Sequence, residues 1–323
     1  MMNFLHVGFA KAASTLLQHN YFTYENNFHN LLEHGPHNWR RFIQHNLISA
    51  QSSFFQFPVP ELPRIDHPNI SFGLSYEGIV DAPADYSVVL SRWKKLFPNS
   101  RVLIVTRAQH DLTFSLFVQY VRAGYFRSIR EFTEELMWDA QQGPWGTFHF
   151  DRIYELTKEQ FENVKLIPYE FLRSDPAEFF KELNEFFEIN AEINVELVRP
   201  SSSDLQLTTM RTLNRLFTHG LGLRVLEPQP GYVIGQDRNV VNKVKIPRII
   251  QQSTRRRQKI RIWSHRIASA IECLPSSKKK SMRSEYAEEY KDLFAETFCQ
   301  SNRNLSQILG VDLARFGYPM SYQ

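Results

Sequence analysis

NFLHVGFAKAASTLLQ, residues 3–18, reads as a buried strand, a turn of small residues and the opening of a helix. The run NFLHVG is apolar without strict alternation, which suits a strand covered on both faces of a parallel sheet. Three further short runs share that character: residues 70–75 (ISFGLS), 101–106 (RVLIVT) and 164–168 (VKLIP). Helical patterns lie between them at residues 14–22, 86–97, 111–123 and 175–187. Strands alternating with helices predict an α/β domain, a central parallel sheet with helices on both faces. Beyond Asp204 only helical patterns follow, at residues 205–217, 246–271 and 282–299, and these read as a helical cap. The expected organisation is a single domain over residues 1–323, with an α/β core in 1–200 and a mainly helical part in 201–323.

Composition narrows the class. A chain of 323 residues, 42% hydrophobic and 14% aromatic, can bury a sizeable core. Its 13 Gly and 16 Pro follow no period, which excludes collagen-like and low-complexity chains. Two cysteines, Cys273 and Cys299, cannot build a disulfide framework or a zinc cluster. The apolar opening has no basic flank and meets Lys11 too early for a signal peptide, and no later run approaches the roughly 20 apolar residues that span a bilayer. A cytoplasmic protein is expected. Net charge is only +4, yet residues 248–283 carry eleven Lys or Arg against the single acid Glu272. That run includes Arg255, Arg256, Arg257, Lys259, Arg261 and Lys278 to Lys280, so the basic surface is local.

In open parallel sheets ligands bind beyond the carboxyl ends of the strands. After the first strand come Lys11, Ala12, Ala13, Ser14 and Thr15, where backbone N–H groups, the positive end of a helix dipole and a full charge converge on an anion. The lysine precedes the small residues and a second glycine is missing, so this is no GxxxxGK[ST] loop. After residues 101–106 comes Arg107, with Ser115 two helical turns on; an arginine there forks onto a phosphate and the serine reaches the same anion. The plainer alternatives are a helix-start pair between Arg107 and Asp111 and a serine helix cap in the first loop. Two anion cradles after two strands of one sheet support each other.

HVGFAKAASTLLQ, together with Arg107 and a serine eight residues on, resembles the sulfotransferases that use 3′-phosphoadenosine 5′-phosphosulfate (PAPS). Residues 167–187 (IPYEFLRSDPAEFFKELNEFF) and 301–319 (SNRNLSQILGVDLARFGYP) look like the bacterial branch that sulfates carbohydrates or other hydroxyls. The resemblance implies a P-loop-like sulfotransferase fold. It also implies PAPS as donor, its 5′-phosphosulfate held by Lys11, Ala12, Ala13, Ser14 and Thr15 and its 3′-phosphate by Arg107 and Ser115. Ala13 stands where the family usually has glycine, a substitution that matters if φ is positive there.

Sulfuryl transfer to an alcohol gains from a base. Glu77, just after residues 70–75, occupies the strand end where the resembled carbohydrate sulfotransferases carry a glutamate base; His110 beside the clamp is the rival, and His6 reads as a core or subsite histidine. Lys11 is the second catalytic candidate, stabilising charge on the oxygen that leaves. No spacing of His, Asp or Glu forms a metal site, and none is expected. The basic run reads either as the solvated face of a cap helix or as a surface that attracts an acidic acceptor, such as an anionic glycan or glycolipid. An ATP-dependent kinase remains an alternative, though neither a Walker lysine nor a magnesium-binding acid is in place. A nucleic-acid binder would use the basic run and leave both cradles without a role.

Overall fold

β1 (Asn3–Gly8) forms the centre of a sheet in which every pairing is parallel, in the order β2-β3-β1-β4-β5. The other strands are β2 (Phe28–Asn30), β3 (Ser71–Tyr76), β4 (Ser100–Thr106) and β5 (Val164–Pro168). The computed structural model describes residues 2–50, 59–65, 69–80, 85–142, 148–193, 203–220, 266–267 and 281–321. Successive residues of β1, β3 and β4 are buried rather than alternate ones, so the sheet is covered on both faces, as the unalternating runs require. The expected α/β class is therefore observed.

Aromatic side chains fill one flank of β1. Phe4 stacks on Phe22 at 4.8 Å between ring centroids and meets Phe28 edge-on at 5.0 Å. Each fully buried Phe contributes roughly 1.5–3 kcal/mol by leaving water. A Cβ on Gly73 would sit 2.2 Å from the Phe4 ring, so β3 needs glycine there for the ring to cross it. The first helix, α1 (Ser14–Leu16), widens into a π-helical turn over Leu17–Tyr21, closed by Phe22 N–H donating to Leu17 O at 2.7 Å. That turn delivers Tyr21 and Phe22 to the cluster.

The helices that follow are α2 (His37–Arg41), α3 (Tyr86–Leu96), α4 (Gln109–Ala123), α5 (Ile129–Gln142), α6 (Phe150–Lys158), α7 (Tyr169–Ser174), α8 (Pro176–Phe187), α9 (Asp204–Gly220), α10 (Met282–Glu289) and α11 (Lys291–Leu309). Several expectations shift. The second expected strand begins one residue later, at Ser71. The expected helix over 282–299 is two, because Tyr290 leaves helical geometry at φ −106, ψ 8, and the second runs on to Gly310, whose φ of 64 ends it. β2 was not expected: three residues including His29 and Asn30 carry no hydrophobic pattern. The expected helix over 246–271 lies outside the described residues, Arg266 and Ile267 aside.

α11 is pinned to the core by amides. Gln109 Nε2 donates to Asn302 Oδ1 at 2.8 Å and Asn302 Nδ2 returns a bond to Gln109 Oε1 at 3.2 Å. Asp151 accepts from Ser301 Oγ and from Asn304 Nδ2. Tyr318 then hydrogen-bonds Thr106 Oγ1 at 2.9 Å, which lays the C-terminal segment on the end of β4. Buried polar groups paired this fully specify one docking geometry.

Candidate functional site

Register sets the site. Val7 pairs with Tyr76, Gly8 with Val105 and Thr106 with Pro168, so the segments that open at Phe9, Glu77, Arg107 and Tyr169 leave the sheet on one edge. From β1 the chain crosses to β2 on one side, and from β4 to β5 on the other. The strand order thus reverses between β1 and β4, where an open sheet forms its crevice.

In the first loop Ser14 is 1% exposed and donates through Oγ to Phe9 O at 3.2 Å. A Cβ on Gly8 would lie 2.4 Å from that Oγ, so the strand must end in glycine for the serine to fold back over it. Lys11 at φ 70 and Ala13 at φ 62 both take left-handed backbone. For residues with a Cβ that conformation costs about 1–2 kcal/mol each, and such strain gathers at functional loops. Ala13 is also the residue that caps α1, and no side chain caps that helix start. The first-turn N–H groups thus have no side-chain acceptor from the cap. Lys11 is exposed and Thr15 partly so.

Glu77 follows β3 directly and starts a single 3-10 turn, Glu77–Ile79. Burial pushes its carboxyl up; the Lys11 charge and a Ser14 hydrogen bond pull it back, and the balance stays above the ordinary value. The structure thus brings Lys11, Ser14 and Glu77 together.

Arg107, 7% exposed, donates from Nη1 to the Lys11 carbonyl at 2.7 Å. Its guanidinium lies 4.8 Å from the centre of the Tyr169 ring and 3.8 Å from Asp111, and its Nε is buried with no partner. Asp111 also receives Arg283 Nε, from α10, at 2.8 Å. Burial raises the Asp111 carboxyl, but Arg283 and Arg107 together hold it below its ordinary value. The helix-start pair of Arg107 with Asp111 therefore exists, within a larger cluster. Ser115 is partly buried one turn beyond Asp111, on the same face of α4 by its spacing.

The two histidines are placed differently. His110 belongs to the Arg107 cluster, with its ring 6.2 Å from Phe294, and burial depresses its pKa. His6 is fully buried, bonds Ser75 Oγ through Nδ1 at 2.7 Å, and burial lowers it to about 3. A neutral core histidine results.

Sequence reading missed three members of the cluster. Tyr169 and Glu170 follow β5 directly, so the rule that pointed to the other strand ends could have found them; Arg283 comes from a distant helix with no local signal. Arg255, Arg256, Arg257, Lys259, Arg261 and Lys278 to Lys280 lie outside the described residues. Among the described residues no group of three or more His, Cys, Asp or Glu could hold a metal ion, and no helix is long and apolar enough to cross a membrane. A groove along α8, lined by Phe180, Asn184, Ile189 and Ala191, holds none of these charged groups; Arg101, at the opposite sheet edge, bonds Phe186 O at the end of α8.

No protein-family model matches the chain, and no curated protein is similar to it. Among solved structures, a sulfotransferase from Alicyclobacillus acidocaldarius is similar over 68% of this chain and 95% of its own, at 15% identity and a TM-score of 0.42.

Proposed function

We propose that the chain is a sulfotransferase that moves a sulfuryl group from PAPS to a hydroxyl of an acceptor. The observation that carries this reading is the bond from Arg107 to the Lys11 carbonyl, which ties together two cation-bearing loops at the reversal of strand order, as one anion site would need. The unpartnered Nε of Arg107 fits an arginine whose full set of acceptors includes a ligand. A donor with phosphates at both its 5′ and 3′ positions matches a site with two cradles.

PAPS supplies an activated sulfuryl group. In this scheme Lys11, Ala12, Ala13, Ser14 and Thr15 bind the 5′ end through amides, hydroxyls and one ammonium, while Arg107 and Ser115 hold the 3′-phosphate, with Arg283 close by on Asp111. Glu77 takes the proton of the acceptor hydroxyl; its raised pKa makes it a stronger base than an ordinary carboxylate while Lys11 keeps it from being too easily protonated. Lys11 also stabilises the negative charge that builds on the leaving oxygen as the S–O bond breaks. Catalysis then rests on positioning and electrostatics, as in phosphoryl transfer. Glu77 is favoured over His110 as base because it shares the first cradle with Lys11 and Ser14, whereas His110 sits in the 3′-phosphate cluster.

The acceptor proposed is a carbohydrate or glycolipid, and the +10 of residues 248–283 favours an acidic one. A cytoplasmic enzyme of the bacterial carbohydrate-sulfating type completes the reading. Transfer of radiolabelled sulfate from PAPS onto a panel of glycans, glycolipids and phenols tests it. Label on a glycan supports the reading, and no transfer to any acceptor, with tighter binding of magnesium-ATP or of DNA, replaces it with a kinase or a nucleic-acid binder.

A further inference from the structure

Glu170 stands at the mouth of β5 and faces the back of the Arg107 clamp. Its Oε1 accepts the N–H of Ala108 at 3.1 Å, the residue that carries the chain from Arg107 into α4. Its Oε2 is buried with no well-aligned hydrogen-bond partner, although the Tyr318 hydroxyl, bonded to Thr106, interacts with the same carboxyl. Arg107 after β4, Asp111 on α4 and Tyr318 in the C-terminal segment act on the carboxyl directly, while Tyr169 on α7, Arg283 on α10 and His110 on α4 act on Arg107 or Asp111.

We propose that Glu170 is a positioning residue of the phosphate clamp that works as the neutral acid, so that an anion bound at Arg107 is matched by one proton taken from solvent onto Glu170. This rests on the PAPS reading above. With the crevice empty, Arg107 offsets a carboxylate at Glu170. A phosphate dianion on the Arg107 fork claims that positive charge and adds repulsion, and a half-buried carboxylate left beside it is relieved by protonation. The neutral acid still accepts from Ala108 N–H through Oε1, so the turn that aims Arg107 is kept, and Oε2 gains a proton to donate. Burial already places the carboxyl at about 7, against the Ala108 N–H bond and the Arg107 charge, which pull it down, and with Asp111 pushing it up, so the group responds near neutral pH.

The probe is adenosine 3′,5′-bisphosphate, titrated calorimetrically into the full chain at pH 7.5 in two buffers of different ionisation heat. Above pH 7 the probe's own phosphates, with a pKa near 6, are almost fully ionised. Wild type should take up between about half and one proton per ligand, and its Kd should weaken up to about tenfold from pH 7 to pH 8. Glu170→Gln should bind with no uptake and a flat pH profile, a change that a purely structural carboxyl would not produce. His110→Gln should keep the uptake. Binding by wild type without proton uptake overturns this inference alone, as does uptake that persists in Glu170→Gln or disappears in His110→Gln. If wild type does not bind the bisphosphate, the PAPS reading fails and this inference falls with it.

Discussion

The guanidinium of Arg107 is fastened to the main-chain carbonyl of Lys11 at 2.7 Å, across the crevice between β1 and β4. The side chain that follows β4 is thereby held by the backbone of the loop that follows β1. Removing it should disturb both.

Arg107→Ala should weaken bisphosphate binding by roughly 2–5 kcal/mol, the usual loss when one member of a desolvated charge pair is cut away. Calorimetry on the variant and wild type measures it. A change smaller than twofold in Kd removes Arg107 from the site.

In the proposed scheme the Lys11 charge acts where negative charge develops, so Lys11→Ala should act chiefly on turnover, lowering kcat by about 10²–10³. Glu77→Gln keeps shape and donor affinity but lacks the base, and kcat should fall by roughly 10²–10⁴. Should Glu77→Gln stay active while His110→Ala is inactive with donor binding intact, the base is His110.

Ala13→Gly relieves a left-handed residue that has a Cβ, at φ 62. The relief of about 1–2 kcal/mol is set against roughly 0.4–1 kcal/mol of added chain entropy in the unfolded state, so a gain of up to about 1.5 kcal/mol is expected in denaturant unfolding. A loss of stability there contradicts the strain assigned to the loop.

The raised Glu170 carboxyl, at about 7, makes the folded chain bind more protons than the unfolded one between the ordinary value of 4.5 and 7. Its contribution is harmless below that window and destabilising above it, so wild type loses stability from this group as pH rises, by an amount on the order of 2–3 kcal/mol. Glu170→Gln should therefore gain on wild type progressively from pH 5 to pH 7.5. A gap between the two that does not change with pH contradicts the assignment.

The strand ends were the legible part of the sequence. Residues 3–8, 70–75 and 101–106 are apolar runs bounded by turns, and burial on both faces is what such runs encode, so the sheet and the loops bearing Lys11, Glu77 and Arg107 followed from them. β2 did not, because Phe28–Asn30 is three residues with only one apolar side chain, and what fixes it is its pairing with Ser71–Gly73 of β3. Ala13 was read as a position that matters if φ is positive, and φ is positive. The meeting of Arg283 with Asp111 depends on how α10 docks on α4, a long-range packing choice with no local signature. Ser115 was placed by spacing alone, and helical geometry keeps it on the Asp111 face.

In the proposed reading the two loops form one site for a ligand with two phosphates, using cations supplied by the chain. Thermal unfolding with adenosine 3′,5′-bisphosphate and no divalent ion is the decisive measurement. At a hundredfold excess over Kd, stabilisation of about 2.7 kcal/mol is expected, largely lost in Arg107→Ala. Stabilisation by magnesium-ATP that exceeds that of the bisphosphate, or none by the bisphosphate at any concentration, would contradict it.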